Sequence, residues 1–160
     1  MEVLYATGIR LAEAHKLDLY DVDTSTDLLI VRQGKGGRDR VVPLTENASA
    51  WLSRYITGAR PELAAGLRLR QTTKNKSQSK ASTPALWLSL EGRRLSKQMI
   101  AQRISGYAGQ ANLKATPHTF RHSCASHLLR GGASIRHVQR LLGHRGLETT
   151  EIYYAQRIVM

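Results

Sequence analysis

A β-hairpin pattern within an otherwise helical sequence constrains the fold of this chain most strongly. The apolar runs 28–31 and 41–44 flank a polar turn, residues 34–39, with the sequence GKGGRD. Two short apolar runs joined by a glycine-rich turn are typical of an antiparallel hairpin. We therefore predict a mainly α fold (α+β) that contains a small antiparallel β-sheet, with basic side chains at the tip of the hairpin.

Helical periodicity and capping residues fill most of the remaining sequence. Ser or Thr precedes several segments with apolar residues at helical spacing, and Gly follows them, as is typical of helix starts and ends. Gly58 and Pro61 are expected to end the helix that begins after Thr45. The predicted helices cover residues 1–6, about 10–17, 45 to about 56, 96 to about 111, 116–130 and 134–142, with a last helix that begins at Thr149 or Thr150.

Residues 68–83 differ in composition from the segments on either side. Basic side chains there stand among Gln, Thr, Asn and Ser, with almost no large apolar residue. Such a segment contributes little to a packed core. We predict a flexible basic loop within one domain, residues 1–160, because the chain length and an apolar content of 41% suffice for a single core.

The sequence is strongly basic, with 24 Lys and Arg against 12 Asp and Glu and a formal net charge of +12. Nucleic acid is the first partner to expect, although a basic surface without a ligand gives the same count. No apolar run approaches the ~18 residues that cross a bilayer, and the amino terminus lacks the pattern of a signal peptide. The single cysteine, Cys124, cannot form an intrachain disulfide, so we predict a cytoplasmic protein with Cys124 as a small core residue.

His118, Arg121 and His122 occupy positions i, i+3 and i+4 of one predicted helix and therefore share a face. An arginine beside an imidazole suits a phosphate, because guanidinium matches two phosphate oxygens and histidine donates a hydrogen bond or moves a proton. A zinc protease also places two histidines four apart, but it needs a glutamate directly after the first, where this chain has Thr119. A polar helix face with a purely structural role stays open as the alternative.

Tyr153 lies near the carboxyl end, nine positions after His144. A tyrosine on an amphipathic helix is more often a packed core residue than a catalyst, and Tyr154 beside it shares that ambiguity. The tyrosine alone therefore indicates no function.

Five motifs, in their order along the chain, resemble those of the tyrosine recombinase or phage integrase family (XerC/XerD-like). The resemblance extends from about residue 4 to residue 155. The motifs are YATGIRLAE (residues 5–13), GKGGRDRVVPL (34–44), HTFRH (118–122), LGH (142–144) and TTEIY (149–153).

The resemblance implies a tyrosine recombinase catalytic-domain fold and a role for each motif. Two arginines would clamp the phosphate, a lysine on the hairpin would act as general acid, two histidines would assist, and the tyrosine would be the nucleophile. The implied catalytic residues are Arg10, Lys35, His118, Arg121, His144 and Tyr153, with Glu13 and His122 supporting the site.

The implied activity is site-specific cutting and rejoining of double-stranded DNA through a 3′-phosphotyrosyl intermediate, without ATP, metal or other cofactor. The family performs strand exchange as a tetramer on DNA. Basic side chains are expected to contact the DNA backbone in a salt-dependent way. The residues expected to do so are Arg38, Arg40, Lys74, Lys76 and Lys80.

The chain also departs from the family pattern. It is expected to lack the amino-terminal core-binding domain and the first helix of the catalytic domain, and few residues follow Tyr153. Two alternatives therefore stay open. One is a nicking and closing activity like that of a type IB topoisomerase, and the other is an inactive, truncated DNA-binding fragment.

Overall fold

The computed structural model describes residues 1–32, 39–66 and 83–143. Nearly all of the predicted hairpin tip, nearly all of the predicted loop 68–83 and the last predicted helix lie outside the described residues. Within them, helices surround one small antiparallel sheet, which confirms the predicted mainly α fold. The described α-helices are α1 (Glu2–Thr7), α2 (Leu11–Lys16), α3 (Glu46–Arg54), α4 (Arg60–Ala64), α5 (Lys97–Gln110), α6 (Pro117–Arg130) and α7 (Ile135–Leu142).

The sheet contains the predicted hairpin and one further strand. Strands β2 (Leu28–Val31) and β3 (Arg40–Pro43) form the hairpin, and β1 (Val22–Asp23) pairs with the other side of β2. Leu29 lies opposite Val42, and both side chains are fully buried in the core. The sequence did not predict β1, because a strand of two residues has no detectable periodicity.

Side-chain caps explain why the long helices begin where the sequence predicted. At the start of each capped helix a hydroxyl accepts a hydrogen bond from the backbone N–H three residues further on, which satisfies one of the free N–H groups of the first turn. The capping residues are Thr45 for α3, Ser96 for α5, Thr116 for α6 and Ser134 for α7.

None of the described helices is long and apolar enough to span a bilayer.

The prediction that Gly58 and Pro61 end the helix after Thr45 is wrong. The chain stays helical through a π-helical turn, Tyr55–Ala59, and then α4, as far as Ala64. In the π turn the N–H of Arg60 bonds to the carbonyl of Tyr55, five residues back. Pro61 directly follows the π turn, where the ordinary i to i−4 hydrogen-bond pattern of the helix is already interrupted.

Two hydrophobic clusters of described residues hold the site together. The larger one joins α1, α2, α3 and the sheet, with Ile9, Leu17 and Leu52 fully buried. The smaller one joins α6 to α7 through Leu129 and Leu142. Because α1 also packs along α6, the start of α2, the middle of α6 and the end of α7 meet at one place.

Cys124 is a buried residue of α6, as the sequence predicted. Burial raises the pKa of its thiol to about 11, and the charge of Arg121 offsets only part of that effect. The protonated thiol therefore behaves as a small apolar group at neutral pH.

Candidate active site

Glu13 is the carboxylate around which Arg10 and Arg40 are arranged. It is the third residue of α2, so that its side chain reaches back to accept the backbone N–H of Arg10 at 2.7 Å, and Nη1 of Arg10 lies 3.2 Å from Oε1. Arg40, the first residue of β3, donates from Nη1 and Nη2 to the two carboxylate oxygens, each at 2.9 Å. With Glu13 only 8% exposed, this pair links the hairpin to the start of α2.

The pKa of Glu13 reflects these contacts. Burial alone would raise it, because desolvation disfavours a charged carboxylate. The hydrogen bonds from Arg40 and from the backbone of Arg10, together with the charges of both guanidinium groups, lower the pKa below its ordinary value of 4.5. Glu13 is therefore ionised at neutral pH and carries one negative charge between two arginines.

The carboxyl end of α7 is the second feature on which the arginines converge. The last carbonyls of a helix have no partner within the helix and carry its negative dipole end, so they attract cations. Arg40 donates from Nε to the carbonyl of Leu141 at 2.9 Å. Arg121 donates to the carbonyl of Leu142 at 2.9 Å, and Arg10 donates to that of Gly143 at 3.3 Å.

Arg121 is 4% exposed and bridges the end of α7 to the break after α1. Besides the bond to Leu142, it donates to the carbonyl of Gly8. Gly8 has φ +59°, and a Cβ there would lie 2.4 Å from Cδ2 of Leu142 and 3.2 Å from Sγ of Cys124. The glycine of the Thr7-Gly8 break therefore permits both the left-handed turn and the close approach of α6 and α7.

The histidines predicted on the same helix face as Arg121 lie nearer to solvent. His118 is exposed in the first turn of α6, and His122 is partly exposed one turn later. A cavity of about 230 Å³ is lined by both His118 and Arg121, together with Leu11. The structure therefore brings His118 and Arg121 to one cavity next to α2.

Several predicted site residues lie outside the described residues. His144 directly follows Gly143 in sequence, so its position along the chain is next to the carbonyl that Arg10 contacts. The residues of the prediction that lie outside are Lys35, Arg38, Lys74, Lys76, Lys80, His144 and Tyr153.

Arg40, one of the residues expected to contact the DNA backbone, has its partners within the protein. Its side chain is 14% exposed, and its guanidinium group contacts Glu13 and the end of α7. The sequence pattern of the hairpin placed Arg40 beside a basic tip but gave no sign of a partner 27 positions earlier in the chain.

This arrangement suits an anion. Arg10, Arg40 and Arg121 bring three positive charges to one place, and Glu13 supplies one negative charge. Planar guanidinium groups match the oxygens of a phosphate. Within residues 1–32, 39–66 and 83–143, no three His, Cys, Asp or Glu side chains are grouped as metal ligands would be.

The described residues thus form a mainly α-helical domain with a small hairpin sheet, in which three arginines converge at one place. The sequence model described as the phage integrase family matches residues 1–158. The chain belongs to the phage integrase family, as the five motifs indicated.

The chain is similar to curated tyrosine recombinases. It is 41% identical to tyrosine recombinase XerC 2 of Ralstonia nicotianae over 155 residues, which are 96% of this chain and 40% of that protein. It is 42% identical to tyrosine recombinase XerD of Staphylococcus epidermidis over 155 residues, 96% of this chain and 48% of that protein. The chain therefore spans about half the length of the curated relatives it matches, or slightly less.

Solved structures show the same fold. The crystal structure of XerA recombinase matches 95% of this chain and 50% of its own chain with a TM-score of 0.75 and 34% identity. The XerH site-specific recombinase bound to its difH substrate matches 96% of this chain and 40% of its own chain, with a TM-score of 0.70 and 23% identity. The predicted catalytic-domain fold is confirmed by these likenesses.

Proposed function

We propose that this chain is the catalytic domain of a site-specific DNA recombinase that cuts and rejoins DNA through a 3′-phosphotyrosyl intermediate. The observation that carries the proposal is the convergence of Arg10 and Arg121 on the end of α7, directly before His144. Residues from three distant parts of the chain meet there, at the positions where the family motifs predict a phosphate clamp.

The chemistry requires such a clamp because a phosphodiester repels nucleophiles by its own negative charge. Positive groups fixed at the nonbridging oxygens stabilise the additional charge of the transition state, and they need no reorganisation if they are already held in place. Arg121 is held by two backbone carbonyls, and Arg10 is held by Glu13 and the end of α7. We assign both guanidinium groups to the nonbridging oxygens of the scissile phosphate.

The reaction follows from this assignment. The phenol oxygen of Tyr153 attacks the phosphorus and passes its proton to one of the two histidines. The bond from phosphorus to the 5′ oxygen breaks, and Lys35 protonates that oxygen as it leaves. His118 and His144 hydrogen-bond the phosphoryl oxygens. The reverse reaction, with a 5′ hydroxyl from another strand as nucleophile, joins new partners without an external source of energy.

The DNA partner and the assembly belong to the same proposal. The net charge of +12 favours binding to the DNA backbone, to which we assign Arg38, Lys74, Lys76 and Lys80. We further propose a tetramer on double-stranded DNA and a cytoplasmic location, because strand exchange between two duplexes uses four cleavage events. The names of the similar proteins favour a recombinase over a topoisomerase.

A suicide DNA substrate with a nick near the scissile phosphate tests the proposal, after a screen of candidate target sites. We expect a covalent adduct on denaturing gels for the wild type and for Tyr154→Phe, and none for Tyr153→Phe. Arg121→Ala is expected to lower the rate of adduct formation by about 100-fold or more. An adduct that survives Tyr153→Phe, or cleavage that is unchanged in Arg121→Ala, contradicts the assignment.

Plasmid relaxation and DNA binding, measured beside adduct formation, separate the two alternatives. Relaxation of supercoiled plasmid without any recombinant product indicates a nicking and closing enzyme of the topoisomerase kind. Salt-sensitive DNA binding without any adduct indicates a noncatalytic fragment.

A further inference from the structure

Arg40 shares a single carboxylate with Arg10. Both arginines donate to Glu13, and Arg40 makes the shorter and bidentate contact, at 2.9 Å to each oxygen. The one negative charge of Glu13 is therefore divided between two guanidinium groups. Without Arg40, the carboxylate of Glu13 would face Arg10 alone, and its negative charge would offset the positive charge of Arg10 more fully.

The surroundings of Arg40 hold it in this position. Its Nε donates to the carbonyl of Leu141. A Cβ atom added to Gly143 would lie only 3.1 Å from the guanidinium carbon of Arg40. Gly143 has φ +66° and ends α7, so its missing side chain leaves space for Arg40 against the helix end. The Arg40 guanidinium is therefore held between Glu13 of α2 and the end of α7.

We propose that Arg40 is a positioning residue that neutralises Glu13 and so keeps the positive charge of Arg10 available to a DNA phosphate. This inference rests on the proposed function, because it takes Arg10 as a contact of the scissile phosphate. It replaces the expectation that Arg40 itself contacts the DNA backbone.

The test uses the salt dependence of binding to a random-sequence DNA duplex, which needs no cleavage. Each phosphate contact by a cation contributes about one unit to the slope of log binding constant against log salt concentration. Arg40→Met and Arg10→Met are each expected to lower the slope by about one unit. The double variant Arg10→Met with Arg40→Met is expected to lose no more than either single variant.

Two further variants separate charge from shape. Arg40→Lys keeps the positive charge and is expected to retain the wild-type slope. The double variant Arg40→Met with Glu13→Gln removes both Arg40 and the negative charge of Glu13. The charge of Arg10 is then no longer offset, and we expect the slope to return to the wild-type value. Arg94→Met is the matched control, because Arg94 also holds one carboxylate, Asp18, and two backbone carbonyls, but outside the site.

Cleavage of the suicide substrate gives the second readout. We expect Arg40→Met to lower the rate of adduct formation by about 10- to 100-fold, the size of effect that loss of a supporting partner has at metal sites. The variant that also carries Glu13→Gln is expected to regain most of that rate. Arg94→Met is expected to leave it close to the wild type.

The outcomes are distinct. If the slope losses of the two single arginine variants add in the double variant, or if Glu13→Gln does not restore the slope of Arg40→Met, Arg40 contacts a phosphate directly. If Arg40→Met leaves the slope unchanged, Arg40 has a purely structural role. Either result overturns the inference. If the wild type forms no adduct with any duplex, the proposed function fails, and the slopes still decide the role of Arg40.

Discussion

At the scale of single residues, the site depends on buried groups that have strong internal partners. Glu13 and Arg121 are nearly inaccessible; Glu13 bonds to β3 and to the start of its own helix, and Arg121 bonds to α7 and to the break after α1. Removing one member of such a set leaves the others buried without a partner, which costs more than the bond itself. Substitutions here therefore affect the stability of the fold as well as the site.

We expect Glu13→Gln to lower the free energy of unfolding at neutral pH by about 1–3 kcal/mol, because the partly buried Arg10 and Arg40 lose a charged partner. Since the pKa of Glu13 is lowered in the folded state, its stabilising contribution is complete above its ordinary value of 4.5 and is lost as the pH falls further. Denaturant unfolding of the wild type and of Glu13→Gln at a series of acid pH values measures this contribution. The difference between their free energies of unfolding should narrow as the pH falls below 4.5.

The exposed Glu62 of α4 supplies the control for this prediction. Glu62→Gln is expected to change stability little at any pH. If the free energies of unfolding of the wild type and of Glu13→Gln differ by the same amount from neutral to acid pH, the charge of Glu13 does not stabilise the fold.

We expect the thiol of Cys124 to be unreactive in the folded protein at neutral pH. The side chain is buried and its pKa is raised to about 11, so the thiolate that attacks disulfide reagents is rare. Titration with an aromatic disulfide reagent should show no fast phase in buffer and one thiol after unfolding in denaturant. A fast native phase would show that α6 is open at this position.

At the scale of elements, three segments meet because small residues allow close contact between their ends. Gly8 after α1 and Gly143 after α7 both have left-handed backbone conformations, and each lies against a side chain of another element. The approach of α1, α6 and α7 sets where Arg10 and Arg121 point. The positions of the two glycines therefore influence the geometry of the arginines.

We expect Gly8→Ala to lower the free energy of unfolding by about 1–3 kcal/mol, from the left-handed backbone and the contact with Leu142. Gly106 is the control, because it lies within α5 with open space around it. Gly106→Ala should raise stability by about 0.5–1 kcal/mol. Denaturant unfolding compares the two, and equal effects of both substitutions would contradict the described packing at Gly8.

Local patterns predicted most of the elements, and tertiary contacts explain what they did not predict. The caps at Thr116 and Ser134 and the hairpin strands depend on neighbours in sequence, so the sequence alone located them. Continuation of the helix past Pro61 depends on the π turn, which has no sequence signature. The pairing of Arg40 with Glu13 depends on the folded hairpin, and charge patterns along the chain do not contain it.

At the scale of the whole molecule, membership of the phage integrase family joins the motifs to one fold. The described residues bring Arg10 of the first motif and Arg121 of the third, more than 100 positions apart in the chain, to the same end of α7. The chain covers 40% to 48% of its curated relatives' length. Its fold and family follow from the comparisons, whereas its activity on DNA is the proposal that experiments need to decide.

The most direct measurement is mass-spectrometric mapping of the peptide that stays linked to DNA after reaction with the suicide substrate. The proposal predicts one modified residue, Tyr153, joined to a 3′ phosphate, with a free 5′ hydroxyl on the released strand. A linkage at Tyr154 or at any other residue, or a phosphate joined through its 5′ side, would contradict it.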